Sequence, residues 1–234
     1  MGVRPPRIRD PRIFPVVGVD DHLPALPLEI LTADSLRRRF AETARAWTPE
    51  FHGDARLFAL ERDPIAASVL VPLVEREQGL NVLLTRRTDH LHDHAGQISF
   101  PGGRVDPGDV DLVDTALRET EEEVGLPRER VQVLGPLNTY STVSSYVVTP
   151  IVALVQPPFQ LALDAFEVAE AFEVPLQFLM TPAHHHRHAV EFEGVKRQFL
   201  SMSWRGVDAQ GQPREYFIWG ATAAMLRNLY SFLR

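Results

Sequence analysis

The sequence TALRETEEEVGL, from Thr115 to Leu126, places four glutamates within five positions near the end of a predicted helix. Leu112, Ala116 and Leu117 have the apolar spacing of a helix. Gly125 stands where helices commonly end. Carboxylates at the C-terminal end of a helix repel one another and the negative end of the helix dipole. Any fold of this chain must accommodate that repulsion.

The spacing of the glutamates predicts one acidic patch on the helix. Glu119, Glu122 and Glu123 stand at positions i, i+3 and i+4, so their carboxylates converge, whereas Glu121 points elsewhere and is predicted to be solvated. Converging carboxylates raise one another's pKa unless a cation lies among them. Oxygen ligands of this kind favour Mg²⁺ or Mn²⁺. The alternative is a solvated acidic helix face, since short charge motifs have low specificity.

A glycine turn directly upstream favours the metal interpretation. The segment FPGGRVDPGD, residues 100–109, precedes the same helix, and glycine lets the backbone approach a ligand closely. Gly103 is therefore a candidate to offer its carbonyl oxygen to the same metal ion.

Strand and helix patterns mix along the chain without regular alternation. Residues 1–30 are rich in proline and lack periodicity, which predicts an arm on the surface. A helix is predicted over Thr32–Trp47, with Asp34 or Ser35 as its cap. The other predicted elements are a hairpin of Pro64–Val74 and Gly79–Arg87, a short strand within 96–103, a helix from about Asp109 to Val124, two strands within 131–155, a helical or extended segment within 164–180, and a strand followed by a helix within 214–233. This mixture favours an α+β sandwich over a doubly wound sheet.

The composition limits the classes of function. With no cysteine among 234 residues, the chain has no disulfide framework and no thiolate chemistry. Its net charge of −7 argues against a general nucleic-acid-binding protein. No run approaches the roughly 18 apolar residues that span a bilayer. These features predict a cytoplasmic protein that binds neither nucleic acid nor membrane.

The segment GGRVDPGDVDLVDTALRETEEEVGL, residues 102–126, resembles the Nudix box, G-x5-E-x7-R-E-U-x-E-E-x-G-U with U apolar. The residues that match the pattern are Gly103, Arg118, Glu119, Glu122, Glu123, Gly125 and Leu126. Asp109 stands where the first glutamate is expected, eight residues rather than seven separate it from Arg118, and Thr120 replaces an apolar residue. The R-E-x-x-E-E core is complete, so the metal assignment is unaffected, and the role of Asp109 is left open, with a helix cap as the simplest interpretation.

A second signature narrows the resemblance. The segment LLTRRTDHLHDHAGQISFPGG, residues 83–103, is similar to the segment that marks coenzyme A pyrophosphatases within the Nudix family. His92 stands where an arginine is common. The resemblance covers roughly Pro64 to Leu229. It implies a Nudix-type α/β/α sandwich with a mixed sheet over residues 63–234, preceded by an N-terminal extension with one helix over residues 1–62.

The resemblance also implies roles for individual residues. The implied metal ligands, for Mg²⁺ or Mn²⁺, are Glu119, Glu122, Glu123 and Gly103. Arg118 is expected to orient a glutamate through an ion pair, and it counts with Glu122 among the catalytic residues. Glu167 matches a loop position that the family uses as a general base or an extra ligand; the alternative is a cap or a solvated residue on a surface helix. The residues expected to bind substrate are Arg86, Arg87, His92, Gly102 and Gly103.

Three functions follow from the resemblance. The first is hydrolysis of the diphosphate of coenzyme A and its acyl derivatives, giving 3′,5′-ADP and (acyl-)4′-phosphopantetheine. The second is a pyrophosphatase for ADP-ribose or dinucleotides, which His92 in place of arginine keeps open. The third, a non-catalytic ligand-binding module, is disfavoured because the R-E-x-x-E-E core is retained. All three imply a small-molecule nucleotide of the coenzyme A class or a close relative as ligand.

Two features remain outside the resemblance. The run HHHRH, His184–His188, is predicted to be a surface loop, since consecutive histidines lack the spaced tetrahedral geometry of a zinc site. A homodimer is compatible with the sequence. The N-terminal arm either packs across a partner subunit or covers the active site, and no residue distinguishes these alternatives.

Overall fold

The computed structural model describes residues 8, 10–42, 47–53, 63–90, 96–192 and 195–234. Within these ranges the strands are β1 (Val16–Val19), β2 (Ile65–Arg76), β3 (Gly79–Arg87), β4 (Ile98–Ser99), β5 (Gly102–Arg104), β6 (Val131–Pro136), β7 (Tyr140–Ser141), β8 (Tyr146–Val155), β9 (Val168–Pro175), β10 (His186–Phe192), β11 (Val195–Val207) and β12 (Pro213–Trp219). The α-helices are α1 (Ala33–Ala41), α2 (Leu112–Val124), α3 (Leu176–Leu179) and α4 (Gly220–Leu233). Short 3-10 turns lie at Pro11–Ile13, Leu28–Ile30, Arg128–Arg130 and Pro182–His184.

A mixed sheet forms the centre of the molecule. Its main strand order is β4-β3-β2-β8-β6, and β5, β7 and β9 pair with β2, β8 and β3 respectively. Strands β2 and β8 run parallel from Ile65↔Tyr146 to Val74↔Val155, whereas the other pairs are antiparallel. The predicted hairpin of β2 and β3 is confirmed, and so is the mixed sheet.

The two faces of this sheet bury different cores. Because successive strand residues point to opposite faces, neighbours separate into different layers. Leu70 and Leu83 belong to the cluster that includes Ala116 and Val124 of α2. The next residues along the strands, Val71 and Leu84, belong to a larger cluster that also contains side chains of α1 and α4. Helices therefore cover both faces, which confirms the predicted α+β sandwich.

A second, antiparallel sheet has the order β1-β10-β11-β12 among the described residues. Strand β12 leads directly into α4, as the sequence predicts, and α4 packs against β11 and β12. Tyr216 of β12 stacks on Phe172 of β9, with ring centroids 3.8 Å apart. This stack joins the second sheet to the mixed sheet.

The N-terminal residues are part of the packed structure. Strand β1 pairs with β10, and Leu26, Leu31 and Leu36 are buried in the larger core. Most of residues 16–30 are exposed, as the prediction of a surface arm requires, but Asp20 and Leu26 are buried and anchor the arm to the rest of the fold. Helix α1 is capped by Thr32, whose hydroxyl accepts a hydrogen bond from the Ser35 amide at 3.3 Å, rather than by Asp34 or Ser35. It ends at Ala41, short of the predicted Trp47.

The histidine run is not a surface loop. It lies in the 3-10 turn and in β10, and His185 is fully buried. Its Nε2 lies 2.8 Å from the Leu179 carbonyl, and its Nδ1 lies 3.1 Å from Nη1 of the buried Arg227. Because Arg227 is always charged and only donates, Nδ1 accepts and the ring is neutral. The loop prediction was wrong because the His185 ring is hydrogen-bonded by the Leu179 carbonyl and by Arg227 instead of by water.

Arg227 belongs to a charge network that joins the two ends of the described chain. Its Nη1 lies 3.3 Å from Asp20, and its Nε donates to Glu50 at 2.6 Å. Arg187 donates to the same two carboxylates. Buried charges are tolerated when they are paired and hydrogen-bonded in this way. The network fixes the N-terminal segment to β10 and α4.

We predict that His185→Gln reduces the loss of stability on acidification. Burial, together with the positive charge of Arg227, lowers the pKa of His185 to about 4, whereas an unfolded histidine has a pKa of about 6.5. Below pH 6.5 the unfolded state therefore binds more protons, and stability falls as the pH falls. Between pH 7.5 and 5.5 this residue removes on the order of 1 kcal/mol. Urea unfolding at both pH values measures the difference; equal pH dependence in the two proteins contradicts it.

The domain boundary between residues 62 and 63 stays a prediction, and Leu36→Ala tests it. Leu36 is fully buried in the same cluster as Leu73 and Leu226. If residues 10–42 fold cooperatively with the rest, truncation lowers the free energy of unfolding of the whole chain by about 2–5 kcal/mol in one transition. A separate early transition, with the main one unchanged, would support an independent extension.

Candidate active site

Helix α2 carries most of the candidate site, and capping residues fix both of its ends. Asp111 precedes the helix and accepts a hydrogen bond from the Asp114 amide at 2.8 Å. At the other end, Gly125 has a φ of 68°, the left-handed conformation that glycine adopts easily. The helix begins three residues later than the expected Asp109, because Asp111 is the cap and Asp109 has another partner.

That partner is Arg118, which organises the acidic residues around it. Its Nε and Nη2 donate to the two carboxylate oxygens of Asp109 at 2.7 and 3.0 Å. Its Nη1 donates to Glu119 at 2.9 Å and to Glu122 at 3.0 Å, and Nη2 also donates to the Arg104 carbonyl. Hydrogen bonding to Arg118 holds the pKa of Asp109 well below its usual range. The predicted ion pair between Arg118 and a glutamate is present, and the interpretation of Asp109 as a cap is wrong.

Glu123 is the buried member of the cluster, with 5% exposure. Its Oε2 accepts a hydrogen bond from the Gly102 amide at 3.2 Å, and its Oε1 lies 3.6 Å from Nη1 of Arg87. Burial raises the pKa of Glu123 to about 8 despite these two contacts. Burial also raises the pKa of Glu119, with Arg118 opposing the shift. Both shifts favour the protonated, uncharged form of these carboxyl groups.

The glycine turn comes directly against these carboxylates. Gly102 and Gly103 lie in β5, opposite Val69 and Ser68 of β2. A Cβ on Gly103 would stand 2.5 Å from the carboxylate carbon of Glu119, so only glycine leaves room for that side chain. Gly102 has a φ of 146°, and a Cβ there would stand 2.5 Å from the Ser68 carbonyl oxygen. The expected close backbone approach is present.

Glu167 also reaches the cluster. One of its carboxylate oxygens, Oε2, lies 3.5 Å from Nη2 of Arg87, whose other terminal nitrogen faces Glu123. Its backbone carbonyl accepts from the Thr88 amide at 2.9 Å. It lies in the turn that precedes β9, which excludes the alternative of a surface helix. The Glu167 side chain is 42% exposed and therefore accessible to water.

Two other residues singled out from the sequence, Arg86 and Glu121, lie away from the cluster. Arg87 shares a strand face with Leu83, on the α2 side, whereas Arg86 shares a face with Leu84. The Nε of Arg86 accordingly lies 3.6 Å from Glu170, on the side of the second sheet. Glu121 accepts from Arg128 at 3.2 Å, away from the patch. His92 lies outside the described residues.

The carboxylates suit a hard divalent cation in their chemistry. Within the part of the chain that the structure describes, no group of three or more His, Cys, Asp or Glu side chains is arranged closely enough to hold a metal ion. In this arrangement Arg118 donates to one carboxylate oxygen of Glu119 and to one of Glu122. The donor set still fits, because oxygen ligands are those Mg²⁺ and Mn²⁺ prefer, and a cation would favour the ionised form of Glu123, which burial disfavours.

Comparison with known proteins places this fold and site in a family. A family model described as the NUDIX domain matches residues 64–193, more than half of the chain. A protein of Yersinia pestis (strain Pestoides F), named "Uncharacterized Nudix hydrolase NudL", is 42% identical over 163 residues, covering 70% of this chain and 77% of the relative. The chain belongs to the Nudix family, and its likeness to named Nudix hydrolases supports hydrolase activity. Nudix hydrolases generally use divalent metal ions.

Solved structures of the family are similar over about half of the chain. A C. elegans Ap4A hydrolase in a binary complex has 24% identity and a TM-score of 0.43, covering 50% of this chain and 85% of that one. A Nudix hydrolase from M. smegmatis, RenU, has 21% identity and a TM-score of 0.44, covering 57% and 81%.

Among the described residues, none of the helices combines the length and apolar character needed to cross a membrane.

We predict that substitutions of two adjacent glycines have different effects: one lowers Mn²⁺ affinity and the other lowers stability. Gly103→Ala displaces only the flexible end of Glu119, so the melting temperature stays near that of the parent while Mn²⁺ affinity falls. Gly102→Ala meets the Ser68 backbone at a positive φ and destabilises the fold by roughly 1–3 kcal/mol. Thermal unfolding and Mn²⁺ titration measure both. Unchanged Mn²⁺ binding in folded Gly103→Ala would remove Glu119 from the metal site.

Proposed function

We propose that the chain hydrolyses the diphosphate bond of coenzyme A and its acyl derivatives, giving 3′,5′-ADP and (acyl-)4′-phosphopantetheine. One observation carries this proposal. The segment that resembles the coenzyme A branch, residues 83–103, contacts Glu123 from both sides, through Arg87 at 3.6 Å and the Gly102 amide at 3.2 Å. The resemblance thus concerns residues that meet at the carboxylate cluster.

The carboxylates supply the metal site in this proposal. Glu119, Glu122 and Glu123, with the Gly103 carbonyl, would hold Mg²⁺ or Mn²⁺. When bound, such an ion neutralises phosphate charge and makes water a better nucleophile at neutral pH. Arg118 orients Glu119 and Glu122 through its ion pairs and is itself held by Asp109. Rigid placement of this kind lowers the barrier, since the charged groups need no rearrangement during the reaction.

Glu167 is the proposed general base. Its carboxylate is partly exposed and held beside the buried cluster through Arg87, a position from which it would accept a proton from an attacking water. Its carbonyl accepts from the Thr88 amide and its amide donates to the Asp164 carbonyl, so its backbone is anchored beside the cluster. The proton acceptor and the proposed metal ligands therefore lie on different elements of the fold.

Arg87 is the proposed contact with the substrate phosphates. Its ion pairs with Glu123 and Glu167, at 3.6 and 3.5 Å, are longer than hydrogen-bonded pairs. The guanidinium can therefore exchange a carboxylate for phosphate oxygens without losing a strong bond. The Gly102–Gly103 backbone would lie against the same phosphates. Arg86 and His92 are proposed to contact more distant parts of the substrate.

A second candidate function is hydrolysis of ADP-ribose or dinucleotides. The position of Arg86 favours it, because its guanidinium faces Glu170 rather than the α2 carboxylates. With Arg87 assigned to the diphosphate, Arg86 is therefore not placed beside it to add a contact for a 3′-phosphate. A non-catalytic binding module is the weakest alternative, since Arg118 pairs with two of the box glutamates and the third, Glu123, is held by Arg87 and the Gly102 amide.

A single assay tests the substrate. Coenzyme A, dephospho-coenzyme A and ADP-ribose are each incubated with the protein and Mn²⁺, or with a chelator, and the products are separated by chromatography. We expect metal-dependent release of 3′,5′-ADP from coenzyme A. Preferential cleavage of ADP-ribose would overturn the substrate while retaining the site, and no cleavage of any of the three would overturn hydrolysis of this class.

We predict that Glu122→Gln lowers kcat, whereas Glu121→Gln, which changes the charge of the helix by the same amount, does not. Both residues are partly exposed glutamates on the same turn of α2, but Glu122 pairs with Arg118 and Glu121 with Arg128. Glu122→Gln should lower kcat by roughly 100-fold or more, as loss of one electrostatic group at a reacting centre does. Glu121→Gln should leave kcat unchanged. Equal effects in the two variants would contradict the assignment of Glu122, and absence of turnover in the parent protein would favour a binding module.

A further inference from the structure

We propose that Phe166, together with His90, forms a platform that binds the adenine ring of the substrate. The Phe166 side chain is 66% exposed, although burial of a phenylalanine side chain is favourable by roughly 1.5–3 kcal/mol. Its ring lies 4.9 Å from that of His90, centroid to centroid, at an interplanar angle of 60°. The pair presents an aromatic surface to solvent immediately beside the proposed active site.

Hydrogen bonds hold this surface in place. The Phe166 carbonyl accepts from the Thr88 hydroxyl at 2.8 Å, and the Phe166 amide donates to the Asp164 carboxylate at 2.9 Å. The Asp164 amide in turn donates to the Glu123 carbonyl at 2.9 Å. The turn that carries Phe166 is therefore tied to the end of β3 and to the end of α2. An exposed ring on a fixed backbone is prepared for a ligand, since little order is lost on binding.

The platform is continuous with the carboxylate cluster. Glu167, the next residue, pairs with Arg87, which also faces Glu123. His90 follows Arg87 by three residues at the end of β3. A ligand whose phosphates lie at Arg87 can therefore extend over Phe166.

The choice of adenine rests on the proposed function. Coenzyme A, ADP-ribose and adenine dinucleotides share an adenosine diphosphate part, whereas their other halves differ in chemistry. Flat nucleobases stack on exposed aromatic rings, and each such contact is worth about tenfold or more in affinity. A flexible pantetheine chain has no flat face to match the ring. The shared planar group is therefore the occupant that this surface fits best.

The test compares a ligand that has the base with one that lacks it. ADP and inorganic pyrophosphate are titrated calorimetrically in the presence of Mn²⁺ against the parent, Phe166→Leu and Phe166→Trp. The control Ile13→Ala removes a side chain that is 73% exposed and lies in the N-terminal segment. We expect Phe166→Leu to weaken ADP binding about tenfold and to leave pyrophosphate binding unchanged. Phe166→Trp and Ile13→Ala should bind both ligands like the parent.

A second readout covers the case in which Phe166→Leu fails to fold. Stacking on the new indole should quench the additional fluorescence of Phe166→Trp with ADP but not with pyrophosphate. Absence of ADP binding by the parent, or an equal loss of ADP and pyrophosphate affinity in Phe166→Leu, would overturn the platform. So would a loss of 4′-phosphopantetheine affinity in place of ADP affinity. Because these titrations need no turnover, they test the platform independently of hydrolysis.

Discussion

The ion pairs of Arg118 are the interaction on which the candidate site depends. One guanidinium binds Asp109 through two oxygens and reaches Glu119 and Glu122 with its remaining nitrogen. Without it, three carboxylates would stand together near the negative end of α2, which the helix dipole alone disfavours. The aspartate at position 109 matters as much as the glutamates, since it fixes the arginine that orients them. Arg118 thus holds carboxylates that repel one another in an ordered arrangement to which a divalent cation can bind.

The central sheet separates this chemistry from the rest of the molecule. Strand alternation sends Arg87 toward α2 and Arg86 toward the second sheet, although the two are neighbours in sequence. The α2 face carries the smaller core and the carboxylates, and the other face carries the larger core with α1 and α4. Substitutions that loosen the large core would therefore reach the site mainly through the shared strands β2 and β3.

Much of the fold was predictable because its signals are local. Helical spacing before Gly125, strand-length apolar runs and the Gly102–Gly103 turn predicted α2, the β2–β3 hairpin and the close backbone approach. What failed depends on side-chain contacts that residue spacing alone does not indicate. His185 is buried because Arg227 and Leu179 satisfy its ring, and Asp109 binds Arg118 rather than capping α2. Phe166 was missed because nothing nearby in the sequence distinguishes an exposed aromatic residue from a buried one.

The charge network around Arg227 has a consequence for how the chain can be shortened. Asp20 and Glu50 neutralise two arginines, one of which is almost fully buried in α4. Removing residues 1–62 would delete both carboxylates and leave the buried Arg227 without these counterions, a defect that typically costs about 3–5 kcal/mol. The region that performs the chemistry is thus not the region that can be excised, and a minimal catalytic fragment would need its own counterions or a neutral residue at position 227.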